Sequence, residues 1–504
     1  MMRFPWLLSL TVGFLSLSQE ILWMRYFSFV NMSVPKSFSF VLAFFLAGIA
    51  MGAIRGKELC GNTDKLYTAS GLLLIGAGIL DMLGPMAAAM LPKPGAFVVP
   101  LIYVCAVLKG MIFPVAHHLG SVPVAGQVGK SVSRVYFMNI IGSTLGPLVT
   151  GFWLLDHFSL QTCMQLMGWL TAALGVVCLA REQSGRFVAT AALAPICLLI
   201  MFLQPGVMAE GLACRTAEGN KGPAPVKNLI ETRTGIIHAL PSDHGGGDYT
   251  LGGNVYDGRD NINPRTNSNG LERLFILAAL QPAPAEILVI GMSSGAWTRI
   301  LTGFPAVKNI DVVEINPGYL PFIRNYPEIS PVLGDPRVHI HIDDGRRWLK
   351  RETKKKYDLI VMNTSFHWRA YSTNLLSAEF LTILRSRLNP GGVLTYNSTD
   401  SPDVLKTAET VFPFAFRYMN FVVAGDEDFR PLVASGRERL LAVQRDGKPL
   451  FDDRAPADRA FIDVTLAVPF RTSAEDPNGP GEVITDWNMI TEFKHGPLLL
   501  AACD

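Results

Sequence analysis

The first part of the chain is written in long apolar runs separated by short polar stretches. Each run reaches the roughly 20 residues that a helix needs to cross a bilayer. The pattern predicts seven spans, at roughly 5–30, 37–54, 66–92, 97–119, 135–155, 160–180 and 187–207. The first run has almost no basic start, lacks a clear small-x-small cleavage site and is followed by more spans, so it reads as a retained helix. Residues 209–230 are rich in Gly, Pro, Ala and Lys and read as a linker. Short strand-like segments follow, "GIIHAL", "DYTLGG" and "NVYDG", then a helix, "GLERLFILAALQ".

From Ala285 strands and helices alternate, the mark of a parallel α/β sheet. The strands are "EILVIG", "IDVVEINP", "RVHIHIDDG", "YDLIVMN" and "GGVLTYNST", and "YMNFVVAG" with "RLLAVQRD" is expected to close the sheet as an antiparallel pair. The expected organisation is a multi-pass α-helical membrane domain (1–208), a linker (209–230), a small β subdomain with an entry helix (231–284), a Rossmann-like methyltransferase-type α/β domain (285–460) and a weakly patterned extension (461–504).

Composition sharpens this reading. The chain is 49% hydrophobic and only 17% charged, against roughly 25% charged in soluble proteins. The net charge of +2 and the lack of a basic run give no sign of a nucleic-acid partner. The seven cysteines form no CxxC motif and no Cys/His cluster, so no metal site is expected. Cys214 and Cys503 flank the soluble part, where a disulfide would join its ends outside the cytoplasm.

Charged residues also fall inside the spans. Glu20 and Arg25 lie near the end of the first span, Asp81 inside the third and Lys109 inside the fourth. They read either as a polar pathway or as a structural Asp81–Lys109 pair with snorkelling at the interface. "NIIGSTLGPLVTG" spaces Gly142, Gly146 and Gly151 for close helix contact. Basic residues favour an inner N-terminus: Arg3, Arg55, Lys57, Lys65, Lys130, Arg134, Arg181 and Arg186 fall in inner loops, against Lys36 and Lys93 outside. Seven spans would then put the soluble part outside the cytoplasm, away from the cytosolic cosubstrate expected below. The side stays open, in a bacterial-type inner membrane.

In such sheets ligands bind at the carboxyl ends of the strands. The first strand ends in "GMSSG", where Gly291, Ser293 and Gly295 permit a tight turn. The second ends in Glu314, 23 residues after Gly291, the place of a ribose-hydroxyl acceptor. The third ends in Asp343, Asp344 and Gly345, where a carboxylate can accept from an adenine amino group. Each alone has a plainer explanation, a packing turn or a helix cap. In register they point to an adenosine-type ligand.

The segments "ILVIGMSSG", "VVEINPGYL", "DPRVHIHIDDGRRWL", "YDLIVMN", "LLSAEFL" and "RLNPGGVLTYN" resemble, in order, the spermidine synthase branch of the S-adenosylmethionine methyltransferase fold. "VYDGRDN…GLERLFILAAL" looks like that family's small β domain and entry helix, and "QEILWMRYFSF" with "SFSFVLAFFLAGIAMGA" looks like the opening of its membrane-fused members. The resemblance implies S-adenosylmethionine or its decarboxylated form as cosubstrate, Glu314 on the ribose, Asp344 on adenine, a small-molecule acceptor, and a bilayer and a second copy of the chain as partners. The sequence departs from the family in two places. The first loop carries Ser293, Ser294 and Trp297, and the acids after the fourth strand are replaced by Asn363, Thr364, Ser365, Phe366 and His367. Asparagine cannot take a proton or balance a polyamine, so a neutral or anionic acceptor is expected.

The loop "MNTSFHWRAYSTN" therefore supplies the catalytic candidates: His367 as general base, Trp368 as pocket wall, Arg369 as clamp for an acidic acceptor, Tyr371 as donor and Asn363 in the place of the acid. Their plainer reading is a solvated surface loop. Beside aminopropyl transfer stand a different alkyl transfer, methyl or aminocarboxypropyl, to an unknown acceptor, and two rival functions of other classes. "VIGMSSGAW" fits the G-x-S-x-G elbow of a serine hydrolase, with Ser293 as nucleophile, "DHGGGD" (His244 to Asp248) as oxyanion loop and His495 as the late histidine. An adenosine-binding transporter or membrane sensor without catalysis is the other.

Overall fold

The computed structural model describes residues 4–62, 65–91, 94–121, 127–182, 208, 212, 226–242, 245–363 and 366–494. The chain divides into two compact units, one built mainly of residues 1–223 and the other of 234–496.

Among the described residues of the first unit, six helical stretches are long and apolar enough to cross a membrane: Phe4–Val30, Lys36–Asn62, Leu66–Ala89, Pro94–Gly120, Val128–His157 and Leu160–Arg181. They match the first six expected spans. The fourth is interrupted at Met111, between Pro94–Gly110 and Ile112–Gly120. The seventh expected span and Cys197, Cys214 and Cys503 lie outside the described residues. The glycine pattern has a direct packing reason at two of its three positions. A Cβ on Gly142 would sit 1.9 Å from the Leu10 carbonyl oxygen, and one on Gly146 would sit 2.4 Å from that of Phe14. Only glycine lets these helices approach so closely. A Cβ on Gly151 would meet open space. Lys109 Nζ lies 2.5 Å from Asp81 Oδ2, with both side chains almost fully buried.

The second unit contains a four-stranded sheet in the order β1 (Asn228–Thr232), β2 (Gly235–Leu240), β3 (Tyr249–Gly252) and β4 (Val255–Arg259). β3 pairs antiparallel with β2 and with β4. A helix, Glu272–Leu280, leads into the larger sheet. Its strands are β5 (Glu286–Ile290), β6 (Asn309–Glu314), β7 (Val338–Ile342), β8 (Tyr357–Met362), β9 (Leu388–Asn397), β10 (Phe414–Tyr418) and β11 (Phe421–Gly425). They lie in the order β10-β11-β9-β8-β5-β6-β7. β5 pairs in parallel with both β6 and β8, so the chain order reverses between β5 and β8.

The inner strands β5, β6 and β8 are near-continuous apolar runs because both faces are covered. Ile287, Val289, Ile310, Val312, Leu359 and Val361 enter one core. Leu288, Ile290, Val313, Ile360, Met362 and Leu394 enter the other. This is the period-two alternation of a strand. The expected closing pair is only half right. "YMNFVVAG" supplies β11, but its antiparallel partner is β10, ahead of it in the chain. Met419, at φ +53, makes the tight turn between them. "RLLAVQRD" instead gives the end of the helix Gly436–Leu441 and the two-residue strand Gln444–Arg445.

Candidate active site

The carboxyl end of β5 meets the switch point in a strained turn. Gly291, Ser293 and Gly295 have φ of +84, +49 and +79. A Cβ on Gly291 would lie 3.0 Å from the Asn363 carbonyl oxygen. Its absence lets the ends of β5 and β8 come together, where the Asn363 N–H donates to the Ile290 carbonyl at 3.1 Å. The Ser293 hydroxyl donates to the Asp257 carbonyl at 2.6 Å and that of Ser294 to the Arg259 carbonyl at 2.9 Å. The two serines thus tie β4 to the turn. A hydroxyl spent on a carbonyl is poorly placed as a nucleophile. His244 and His495, which the hydrolase reading needs, lie outside the described residues.

Glu314 closes β6 and is buried. Its Oε2 accepts the Met292 N–H and its Oε1 the Asn316 N–H, each at 2.7 Å. Burial pushes its carboxyl up to about 7, against the pull of those two N–H groups and of the Ser293 N–H. A carboxylate has about four acceptor positions, so room is left for a ligand's donor. At the end of β7, Asp344 caps the helix Gly345–Arg351 by accepting the Arg347 N–H at 2.7 Å. Asp343 is buried and bonded by the guanidinium groups of Arg347 and Arg351. A Cβ on Gly345 would lie 2.7 Å from Ile290, so this glycine seats the helix against β5.

The loop after β8 is braced from other elements; Thr364 and Ser365 lie outside the described residues. His367 Nδ1 lies 2.6 Å from Thr399 Oγ1, and the His367 carbonyl accepts from Ser372 and Thr491. Phe366 and Trp368 stack with ring centroids 5.1 Å apart. Glu492 accepts the N–H groups of Tyr371 at 3.0 Å and Thr373 at 2.8 Å. Tyr371 has φ +70 and is 76% exposed, so its ring faces solvent rather than the strand ends.

Arg369 turns the other way, toward a carboxylate absent from the expected site. Asp257, on β4, accepts a hydrogen bond from the Tyr319 hydroxyl. Burial pushes the Asp257 carboxyl up, and the Arg369 charge opposes that rise. A Cβ on Gly252 would lie 2.7 Å from Tyr319 Oη, 3.4 Å from Asp257 Oδ2 and 3.8 Å from Arg369 Nη1. Three polar ends therefore converge over one glycine. Asp257 stands in "VYDG" and Tyr319 in "EINPGYL". Both segments carried a family resemblance, but only contact across β4, β6 and the β8 loop gives these residues a site.

Residues 276–422 match the spermine/spermidine synthase domain family. The polyamine aminopropyltransferase of Alkaliphilus oremlandii is 33% identical over 125 residues, covering 25% of this chain and 43% of that protein. Polyamine aminopropyltransferase 1 of Streptomyces coelicolor is 23% identical over 371 residues, covering 71% of this chain and 69% of that protein. Spermidine synthase from Thermotoga maritima superposes with a TM-score of 0.38 at 16% identity, over 48% of this chain and 84% of that one. The chain thus joins membrane-length apolar helices to a spermidine synthase-like domain homologous to polyamine aminopropyltransferases.

Proposed function

We propose that this protein is a membrane-anchored transferase that uses S-adenosylmethionine or its decarboxylated form to alkylate a small acceptor other than a polyamine. The group moved is of aminopropyl type or methyl. The observation that carries the reading is Glu314, buried at the end of β6 and bonded by the Met292 and Asn316 N–H groups, with the Ser293 N–H also on it. Such a carboxylate is held in place to accept a ribose hydroxyl. Gly291, Ser293 and Gly295 turn the backbone beside it at positive φ, while Asp343, Asp344 and Gly345 form the neighbouring strand end. These residues fit an adenosine group.

A bound sulfonium cosubstrate supplies an electrophilic carbon and a thioether leaving group. The chain's own work is to hold that group, exclude water and take the acceptor's proton. His367, held by Thr399, is the candidate base. Asn363 carries no charge where a polyamine would need an anion, which favours a neutral or anionic acceptor. The six apolar helices support anchoring in an inner membrane, and the Asp81–Lys109 pair supports a structural role for the charges inside them. A homodimer belongs to the same proposal.

Calorimetry of the full-length protein in detergent micelles with 5′-methylthioadenosine tests the reading. Binding is expected, with Glu314→Gln losing roughly tenfold or more. No heat at any concentration from wild type would remove the adenosine site.

A further inference from the structure

Asp257 and Arg369 offer opposite charges at one place. Arg369 Nη1 and Asp257 Oδ2 both lie within 4 Å of the point a Gly252 side chain would occupy. The Asp257 backbone is fixed to the cosubstrate turn by Ser293, and its carboxylate is oriented by Tyr319. The same turn bonds both residues, Ser293 to the Asp257 carbonyl and Met292 to the Glu314 carboxylate, so Asp257 adjoins the proposed ribose acceptor. The strand ends that flank it carry the uncharged Ser294 and Asn363.

We infer that the cosubstrate is S-adenosylmethionine with its α-amino acid end intact, Arg369 taking the carboxylate and Asp257 the ammonium. The chemistry selects against the decarboxylated form. A lone propylammonium chain needs an anion and gains nothing from a guanidinium, which repels it. A zwitterion uses both groups, and guanidinium matches carboxylate with paired donors. Gly252 matters to the same end, because any Cβ there would press on the Tyr319 hydroxyl at 2.7 Å. The inference rests on the adenosine reading and narrows it to one donor.

The test compares four ligands by calorimetry on the full-length protein in detergent: 5′-methylthioadenosine, S-adenosylhomocysteine, S-adenosylmethionine and decarboxylated S-adenosylmethionine. The two ligands that keep the amino acid end are expected to bind roughly tenfold or more tighter than the two that lack it, the scale of one charge-assisted contact. Arg369→Gln should erase that difference and leave 5′-methylthioadenosine unchanged. Decarboxylated S-adenosylmethionine binding as tightly as the parent compound would overturn the inference while leaving the adenosine site standing. Equal losses for all four ligands in Arg369→Gln would also overturn it. Failure of all four on wild type would instead defeat the adenosine reading itself.

Discussion

Met292 donates its backbone N–H to Glu314 Oε2 at 2.7 Å. The turn after β5 thereby orients the acid at the end of β6, so two strand ends act as one feature. A carboxylate held this way is aimed before any ligand arrives, which lowers the ordering cost of binding.

Ligand affinity should follow the charge on Glu314. Burial raises its carboxyl from 4.5 to about 7, and ribose hydroxyl donors favour the ionised form. Binding of 5′-methylthioadenosine should weaken by up to about tenfold for each pH unit below about 7. It should release protons at pH 6, seen as heats that vary with buffer ionisation enthalpy. Glu314→Gln should flatten the profile; an unaltered slope would exclude Glu314 as the titrating group. The stability sign is opposite. A raised carboxyl contributes its stability fully below about 4.5 and loses it as pH rises through about 7. The ligand-free protein should therefore melt lower at pH 8 than at pH 5 by this group's share.

His367→Ala should separate transfer from binding. The affinity for 5′-methylthioadenosine should stay within about threefold, because the ring contacts Thr399 rather than Glu314. Thioether product release, measured with a mixed metabolite extract as acceptor source, should fall by roughly 100-fold or more. Wild-type release from the variant would end its assignment as base.

The Asp81–Lys109 pair should behave as a buried ion pair. Lys109→Met or Asp81→Leu alone strands a charge and should cost roughly 3–5 kcal/mol of stability. The double variant should recover most of that loss. Thermal unfolding of the four proteins in one detergent gives the coupling. Additive losses would mean that the two residues do not act together.

Glu492 should control the order of the loop after β8. It accepts two N–H groups, from Tyr371 and Thr373, and losing such an acceptor costs about 1–3 kcal/mol for each stranded donor. Hydrogen exchange over 366–373 should speed up in Glu492→Ala and less so in Glu492→Gln. Unchanged protection would show that Thr399 and Thr491 suffice.

The layout of the fold was legible along the chain for a physical reason. A bilayer-length apolar run and a doubly covered strand are both set by local patterning, so six helices and strands β5 to β9 appear where the pattern puts them. The closing hairpin was misassigned because antiparallel pairing is a long-range choice. Phe414–Tyr418 and the helix-forming "RLLAV" are both short apolar stretches, and only the Met419 turn selects the first as partner of β11.

The candidate site divides in the same way. Local patterning settles which side chains stand at strand ends, because strand ends are marked by glycine, Asp and Glu after an apolar run. Glu314 and the Gly291–Gly295 turn are legible on that basis. Tertiary structure alone decided that Tyr371 faces solvent, that Asp344 caps a helix and that Ser293 holds down β4. It alone brought Asp257, from a different sheet, opposite Arg369. Backbone pattern fixes where a residue emerges from its own element; the groups it meets there come from elements far away in the chain, and no local period encodes them.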